Sequence, residues 1–235
     1  MAKSLTELYK TFFIVAHRGA SAYEPENTIR SIRRAFEMGA DAVEVDARIS
    51  KDGHVVIIHD ETVDRTTNGS GRVSELLLEE IRALDAGRGE KVPILEEVLD
   101  EIMGKGCLFL EIKEERAAVP SLRIVMERRM IESVLFISFS SNALFSIKKI
   151  DRKAHTGFLY IKPIDGIVKA KKLGCEVVLP YYRLATQKAV AFAHRMGLKV
   201  VPWTIDELEI ARELKNKGVD GIATNTPDQM IRLTL

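Results

Sequence analysis

Four short polar clusters in this sequence lie within or directly after apolar runs that are typical of β-strands. The clusters are His17-Arg18-Gly19, Glu44-Val45-Asp46, His59-Asp60 and Glu111-Ile112-Lys113. Successive side chains of a strand point to opposite faces, so Glu44 and Asp46 share one face, as do Glu111 and Lys113. Charge at this density is costly inside a sheet or barrel unless it is paired or binds a metal. The clusters therefore predict one metal-assisted, phosphate-binding site.

The three carboxylates form an all-oxygen set of candidate metal ligands, Glu44, Asp46 and Glu111. Hard oxygen ligands without cysteine suit Mg²⁺ or Ca²⁺ better than Zn²⁺. The alternative is that the carboxylates only pair with neighbouring cations such as Arg18 and Lys113. We favour a divalent cation site, because Glu-x-Asp and Glu-x-Lys fall on strands that are expected to be adjacent.

Two histidines, His17 and His59, end predicted apolar strands. Imidazole changes its charge near neutral pH and is well matched to general acid and base catalysis. A single histidine in such a place is more often structural, but two beside charged partners predict a catalytic pair. The other histidines, His54, His155 and His194, lie in a predicted turn, linker and polar helix face, and we expect them at the surface.

Two cations and two aromatic residues are expected beside these groups. Arg18 and Lys113 would stabilise the negative charge of a phosphate diester, or would balance the carboxylates, and the two roles are compatible. Trp203 and Phe139 are expected at the ends of the seventh and fourth strands, lining the same opening. There an aromatic ring either stacks on a polyol or simply packs in the barrel.

Short apolar runs alternate regularly with longer amphipathic stretches, which predicts parallel strands joined by helices. Eight such pairs predict an α/β fold of the (β/α)8 TIM-barrel class, since open doubly wound sheets usually have five or six strands. The predicted strands are 12–17, 42–49, 107–112, 134–139, 156–160, 176–179, 198–203 and 219–223. The predicted helices are 27–38, 94–104, 118–130, 141–150, 164–173, 184–196, 206–217 and 227–233, with Asn27 and Ser141 as N-caps.

The segment from about 51 to 91 interrupts this alternation between the second strand and the second helix. Residues 51–54 predict a hairpin turn, and residues 55–58 predict a strand that returns from it. An insertion at the C-terminal end of a barrel strand projects over the opening of the barrel. We therefore predict a small cap that brings His59 to the site, within a single domain spanning residues 1–235.

The length of the chain fits one barrel, and its balanced charge argues against nucleic acid as a partner. The chain has 235 residues, with 35 Lys and Arg against 34 Asp and Glu, so its net charge of +1 provides no general attraction for nucleic acid.

Cys107 and Cys175 lack a ligand-like spacing, which favours reduced thiols. The N-terminus is polar and no apolar run approaches the ~20 residues of a membrane span, so we expect a cytoplasmic protein without a transmembrane segment. The oligomeric state stays open.

An ordered set of motifs resembles the glycerophosphodiester phosphodiesterases over nearly the whole chain. The matching segments are His17-Arg18-Gly19, Pro25-Glu26-Asn27-Thr28, Gly39-Ala40-Asp41, Glu44-Val45-Asp46, Lys51-Asp52-Gly53, Val56–Asp60, Asp64-Arg65-Thr66-Thr67, Leu84-Asp85-Ala86-Gly87, Pro93–Leu99, Glu111-Ile112-Lys113, Ser138-Phe139, Trp203-Thr204 and Asp220–Thr224. One departure is Asn225, where the family more often has an aspartate, which argues against a charged role at this position.

The resemblance implies a (β/α)8 barrel with a small insertion after the second strand. It also implies hydrolysis of glycerophosphodiesters, such as glycerophosphocholine or glycerophosphoethanolamine, to sn-glycerol 3-phosphate and an alcohol. Carried over residue by residue, the resemblance makes Glu44, Asp46 and Glu111 the ligands of Mg²⁺ or Ca²⁺, His17 and His59 the acid and base, and Arg18 and Lys113 the phosphate-binding groups. Which histidine is the acid, and whether water or the glycerol 2-hydroxyl attacks, remain open.

Two other functions are compatible with the same residues. A lysophospholipase D would act on longer lipid diesters, with Leu76–Leu78 as an apolar lip at the opening. A non-catalytic phosphodiester-binding protein would keep the fold without turnover, but the presence of both histidines and all three carboxylates argues against it.

Overall fold

The computed structural model describes residues 4–163 and 165–234, which form a parallel barrel surrounded by helices. The strands are β1 (Phe13–His17), β2 (Ala42–Ile49), β3 (Val55–Ile57), β4 (Cys107–Ile112), β5 (Val134–Ser138), β6 (His155–Tyr160), β7 (Val177–Pro180), β8 (Lys199–Val200) and β9 (Gly221–Thr224). The helices are α1 (Leu5–Leu8), α2 (Ile29–Glu37), α3 (Leu78–Ala83), α4 (Leu95–Ile102), α5 (Glu115–Glu127), α6 (Ser141–Ile150), α7 (Gly166–Lys172), α8 (Gln187–Arg195), α9 (Leu208–Asn216) and α10 (Pro227–Met230).

The parallel strands follow the order β8-β7-β6-β5-β4-β2-β1-β9. The chain beyond β8 closes the barrel against β9, because the Asp220 amide donates to the Val200 carbonyl at 2.9 Å and the Ala223 amide donates to the Pro202 carbonyl at 3.0 Å. Among the described residues this gives eight parallel strands with helices between them, so the predicted TIM barrel is confirmed. The carboxyl ends of all these strands meet at one opening.

Apolar side chains fill the inside of the barrel and separate it from the outer helices. Phe13, Val15 and Phe109 belong to the interior cluster, to which α1 adds Leu5 and Leu8, an element outside the predicted alternation. The outer helices bury one stripe each; in α4 the buried positions have the spacing i, i+3, i+4 and i+7 of an amphipathic helix. The core therefore holds the strand ends rigidly in place.

The two predicted N-caps are wrong by one residue. Thr28 caps α2, with its hydroxyl accepting from the Ser31 amide at 3.1 Å, and Ser140 caps α6, with its hydroxyl accepting from the Ala143 amide at 3.3 Å. Asn27 instead has a left-handed backbone, with φ of 58°, and its side chain bonds to Asp46 on β2. Asparagine tolerates this conformation better than most residues.

The insertion after β2 forms a small layer of its own beside the opening. Its strand β3 returns antiparallel to β2, with Ala47 paired to Ile57 and Ile49 to Val55. A separate apolar cluster, which includes Val56, holds it together. The segment contains α3 where sequence patterning predicts no helix. β3 therefore places His59 at the edge of the opening, two residues after the strand ends.

His155 is not at the surface as predicted, because it begins β6 and is only 15% exposed. Its Nδ1 lies 2.6 Å from Glu176 Oε2, and this hydrogen bond raises the pKa of His155 from its usual 6.5. His54 and His194 are exposed, as expected, and both cysteines are buried thiols. Across the described ranges, no helix is both long and apolar enough to cross a membrane.

The raised pKa of His155 predicts a pH-dependent contribution to stability. The contribution is complete below the unfolded pKa of about 6.5 and is lost as the pH rises through the higher folded pKa. His155→Gln is therefore expected to lower the free energy of unfolding by about 1 kcal/mol at about pH 5.5, and by less at about pH 9. Urea denaturation at both pH values measures this, with His194→Gln as the surface control. Equal destabilisation at both pH values would contradict the prediction.

Candidate active site

The nine side chains that the sequence predicts for the site gather at the C-terminal ends of the barrel strands. Eight of them line one pocket: His17, Arg18, Glu44, His59, Glu111, Lys113, Phe139 and Trp203. The ninth, Asp46, is completely buried and lies opposite Glu111 in the register of β2 and β4. The structure thus brings together residues from five strand ends and the insertion.

Three buried carboxylates form the floor of the polar half of the pocket. Glu44, Asp46 and Glu111 each offer an oxygen, and these oxygens lie within 4.8 Å of one another. Two buried oxygens, Glu44 Oε1 and Asp46 Oδ1, accept no hydrogen bond. Orphaned buried acceptors of this kind are rare and costly, so the donor set fits a hard divalent cation bound between them.

The carboxylates disturb one another electrostatically. Burial raises the pKa of Glu44, and the charges of Asp46 and Glu111 raise it further. Burial and Asp46 also raise the pKa of Glu111, to about 7. Burial opposes ionisation of Asp46 as well, but Lys113 and Arg18 outweigh it and hold the pKa of Asp46 below its usual value. The two cations therefore compensate only part of the negative charge of the three carboxylates.

Arg18 and Lys113 contact the carboxylates and also line the pocket. Arg18 Nε is 3.3 Å from Asp46 Oδ2 but has no hydrogen-bond partner, and the Arg18 backbone amide donates to Glu44 Oε2 at 3.0 Å. Lys113 Nζ donates to Glu111 Oε1 at 2.7 Å and lies 3.5 Å from Asp46 Oδ1. Both side chains therefore balance the carboxylates and still line the space where an anion would bind.

Asn27 is a site residue that the sequence analysis assigned to a helix cap. Its amide Nδ2 donates to Asp46 Oδ2 at 2.8 Å, and its Oδ1 accepts from the Asp46 backbone amide at 3.2 Å. The side chain is 3% exposed. Asn27 therefore fixes the orientation of the Asp46 carboxylate, and only its place in the matching motif Pro25–Thr28 could have indicated this.

His59 is tied to a carboxylate and, through it, to the barrel. Its Nδ1 lies 2.6 Å from Asp60 Oδ1, and Arg65 Nε donates to Asp60 Oδ2 at 2.6 Å. Arg65 Nη1 and Nη2 donate two hydrogen bonds to the Glu26 carboxylate, at 2.9 and 2.8 Å. Arg18 Nη1 also donates to Glu26, at 2.9 Å. A continuous chain of charged groups therefore connects His59 on the insertion to Arg18, directly after β1.

Arg65 is expected to matter for catalysis although it is remote from the pocket. Arg65→Met removes the bridge between Asp60 and Glu26, and we expect kcat to fall about tenfold, the usual scale for a partner that orients an active-site group. Steady-state kinetics would measure this. Arg72→Met is the matched control, because Arg72 lies in the same insertion and makes an exposed pair with Glu61. Equal losses in both variants would contradict a specific role for Arg65.

His17 has a neutral partner where His59 has a carboxylate. His17 Nδ1 lies 2.8 Å from Asn225 Oδ1, and its Nε2 lies 3.9 Å from Glu44 Oε2. Burial and the charge of Arg18 lower the pKa of His17, and burial also lowers the pKa of His59.

The opposite half of the pocket is apolar. Trp203 and Phe139 meet edge to face, with ring centroids 5.7 Å apart, and Trp203 Nε1 donates to the Leu179 carbonyl at 2.8 Å. Leu76 and Leu78 pack instead against the separate core of the insertion. Leu77, the middle residue of the predicted apolar lip, is exposed, and none of the three leucines is among the described residues that line the pocket.

Comparison with known proteins agrees with this geometry. Residues 17–229 match the model of the Glycerophosphoryl diester phosphodiesterase family. The chain is 38% identical over 237 residues to a glycerophosphodiester phosphodiesterase of Caldanaerobacter subterraneus subsp. tengcongensis, covering 94% of this chain and 96% of the relative.

Solved structures extend the similarity to three dimensions. A phosphodiesterase of Oleispira antarctica, in complex with the product sn-glycerol-3-phosphate, is 29% identical with a TM-score of 0.88, covering 94% of this chain and 95% of that one. A glycerophosphodiester phosphodiesterase of Agrobacterium tumefaciens is 28% identical with a TM-score of 0.85, covering 94% and 100%.

Proposed function

Because the chain belongs to the glycerophosphoryl diester phosphodiesterase family and is therefore a phosphoric diester hydrolase, we propose that it hydrolyses glycerophosphodiesters to sn-glycerol 3-phosphate and an alcohol. Glycerophosphocholine and glycerophosphoethanolamine are the expected substrates. The observation that carries the proposal is the buried carboxylate cluster with two orphaned oxygens, beside two cations and two histidines in one pocket. The product bound to the Oleispira antarctica relative supports the same substrate class.

Glu44, Asp46 and Glu111 would hold the divalent cation, Mg²⁺ or Ca²⁺. When bound, such a cation offsets the charge of the carboxylates, polarises a phosphate oxygen and lowers the pKa of a hydroxyl or water nucleophile. Arg18 Nε, which has no hydrogen-bond partner, and Lys113 Nζ would donate to the non-bridging phosphate oxygens. These two cations face the developing negative charge from a largely buried position, where electrostatic stabilisation is strongest.

The partners of the two histidines support a different role for each. An amide oxygen only accepts, so Asn225 Oδ1 places the proton of neutral His17 on Nδ1 and leaves Nε2 as an acceptor. His17 would therefore remove the proton of the nucleophile as general base. Burial lowers the pKa of His59, and the hydrogen bond to the Asp60 carboxylate opposes this by favouring the protonated form, which would transfer the proton on its Nε2 to the leaving alcohol as general acid.

Release of sn-glycerol 3-phosphate from glycerophosphoethanolamine tests the proposal. We expect release with Mg²⁺ or Ca²⁺, loss of release in EDTA, and recovery when the cation is returned. No release with either cation would overturn the proposal and direct the search to lysophospholipids and then to binding without turnover. Single-turnover experiments that trap a cyclic phosphate, or show none, would distinguish attack by the glycerol 2-hydroxyl from attack by water.

A further inference from the structure

Behind His17, outside the pocket, lies a small polar network that the hydrolysis mechanism does not yet use. Asn225, directly after β9, accepts a hydrogen bond from His17. Asp206, in the loop before α9, accepts two hydrogen bonds from Asn225. The Asn225 backbone amide donates to Asp206 Oδ1 at 2.7 Å, and Asn225 Nδ2 donates to Asp206 Oδ2 at 2.7 Å. The two bonds form a fork in which each carboxylate oxygen accepts one N–H group.

This fork determines which end of the Asn225 amide faces His17. A rotated amide would point its oxygen at the Asp206 carboxylate and its NH₂ group at His17 Nδ1. Both contacts would then be wrong, because two acceptors would meet at Asp206 and His17 Nδ1 would have to accept. Ser21 Oγ lies 2.8 Å from Asn225 Oδ1 and 2.7 Å from the His17 carbonyl, but a hydroxyl can donate or accept, so the fork with Asp206 is what selects the orientation.

We propose that Asp206 is a positioning residue that acts through Asn225 to set the tautomer and ring orientation of His17. The inference depends on the proposed role of His17 as general base, because only the tautomer with the proton on Nδ1 leaves Nε2 free to accept. Asp206 thus supplies, through Asn225, the orienting charge that His59 receives directly from Asp60. Thr224 Oγ1, which donates to Asp206 Oδ1 at 3.0 Å, holds the carboxylate in place.

The first test is the variant Asp206→Asn, examined with Ca²⁺ bound and without substrate. The ¹⁵N chemical shifts of the His17 ring report its tautomer directly. We expect the Nδ1-protonated form in the unmodified enzyme and a mixture of tautomers in the variant. An unchanged tautomer in Asp206→Asn would overturn the inference, whatever happens to its activity.

The second test is kinetic and exchanges the two partners. Asp206→Asn is expected to lower kcat about tenfold with KM within about twofold of its original value. Asn225→Asp alone places two carboxylates against each other and is expected to lower kcat about 100-fold. The double variant Asn225→Asp/Asp206→Asn restores one acceptor toward His17 and one donor between the pair, so we expect it to recover most of the loss. A double variant no better than Asn225→Asp would overturn the inference.

A matched control separates this role from a general effect of charge. Asp228, three residues after Asn225, accepts from the Tyr23 hydroxyl at 2.6 Å, and Asp228→Asn is expected to leave kcat within about twofold. A loss in Asp228→Asn equal to that in Asp206→Asn would overturn the inference. Because the tautomer measurement needs no substrate, it judges the network separately from the proposed hydrolysis, which fails only if the unmodified enzyme releases no sn-glycerol 3-phosphate.

Discussion

Glu44→Gln is expected to lower kcat about 10³-fold and, at the same time, to stabilise the metal-free protein. The loss of activity corresponds to the several kcal/mol that a bound cation contributes to a transition state. The gain in stability has a separate origin, because burial and the charges of Asp46 and Glu111 make ionised Glu44 unfavourable in the folded protein. The amide keeps the shape of the side chain, including an oxygen for the Arg18 backbone amide, and removes the charge.

The sign of the stability change follows from the raised pKa of Glu44. The folded protein holds the Glu44 proton more tightly than the unfolded chain, so the metal-free enzyme loses stability as the pH rises above the unfolded pKa of about 4.5. Glu44→Gln removes this cost, so it is expected to raise the melting temperature at about pH 8, by about 2–4 °C for each kcal/mol gained in the free energy of unfolding. Little change is expected at about pH 4.

Steady-state kinetics measures the loss of kcat, and thermal unfolding with and without Ca²⁺ measures the change in stability together with the response to the cation. The unmodified protein should melt at a higher temperature when Ca²⁺ is added, whereas Glu44→Gln should start higher and respond little. Glu114→Gln is the control, since Glu114 lies just after β4, which carries the ligand Glu111, but bonds to the Ile49 amide and Arg116 outside the cluster. A normal Ca²⁺ response in Glu44→Gln would contradict the assignment of this residue as a ligand.

His17→Ala and His59→Ala are each expected to lower kcat about 10³-fold on glycerophosphoethanolamine, within the range for loss of a general acid or base. The two variants should differ when the leaving group changes. A p-nitrophenyl diester of glycerol phosphate releases an anion that needs no proton, so we expect His59→Ala to recover to within about tenfold of the unmodified enzyme. His17→Ala should remain impaired, because activation of the nucleophile is still required.

Rates of the two variants on the two substrates measure this difference, with KM recorded to show that binding is retained. Rescue of His17→Ala but not of His59→Ala would exchange the roles assigned here. Rescue of neither would remove general acid catalysis from both residues and contradict the proposed mechanism.

Much of this site is predictable from local sequence because it depends on the period of a strand and the direction of the chain. Glu44 and Asp46 are two residues apart, so they share a face in any strand. The eightfold alternation of strands and helices then brings all carboxyl ends to one opening. No partner needs to be known for these inferences, and the fold and the shared site followed from them, whereas the family followed from the ordered motifs.

Several functional side chains are oriented by contacts between segments far apart in the sequence. His17 and Asn225 are separated by 208 positions, and Arg65 and Glu26 by 39, so no local pattern connects them. Asn27 fits the residue preferences of a helix cap, and only its left-handed backbone and its place beside Asp46 make it an orienting residue.

By itself, the sequence determined which groups reach the site, because strand period and chain direction are local properties. The tertiary structure decided which distant groups hold them, because a hydrogen bond depends on distances and angles between segments that only folding brings together.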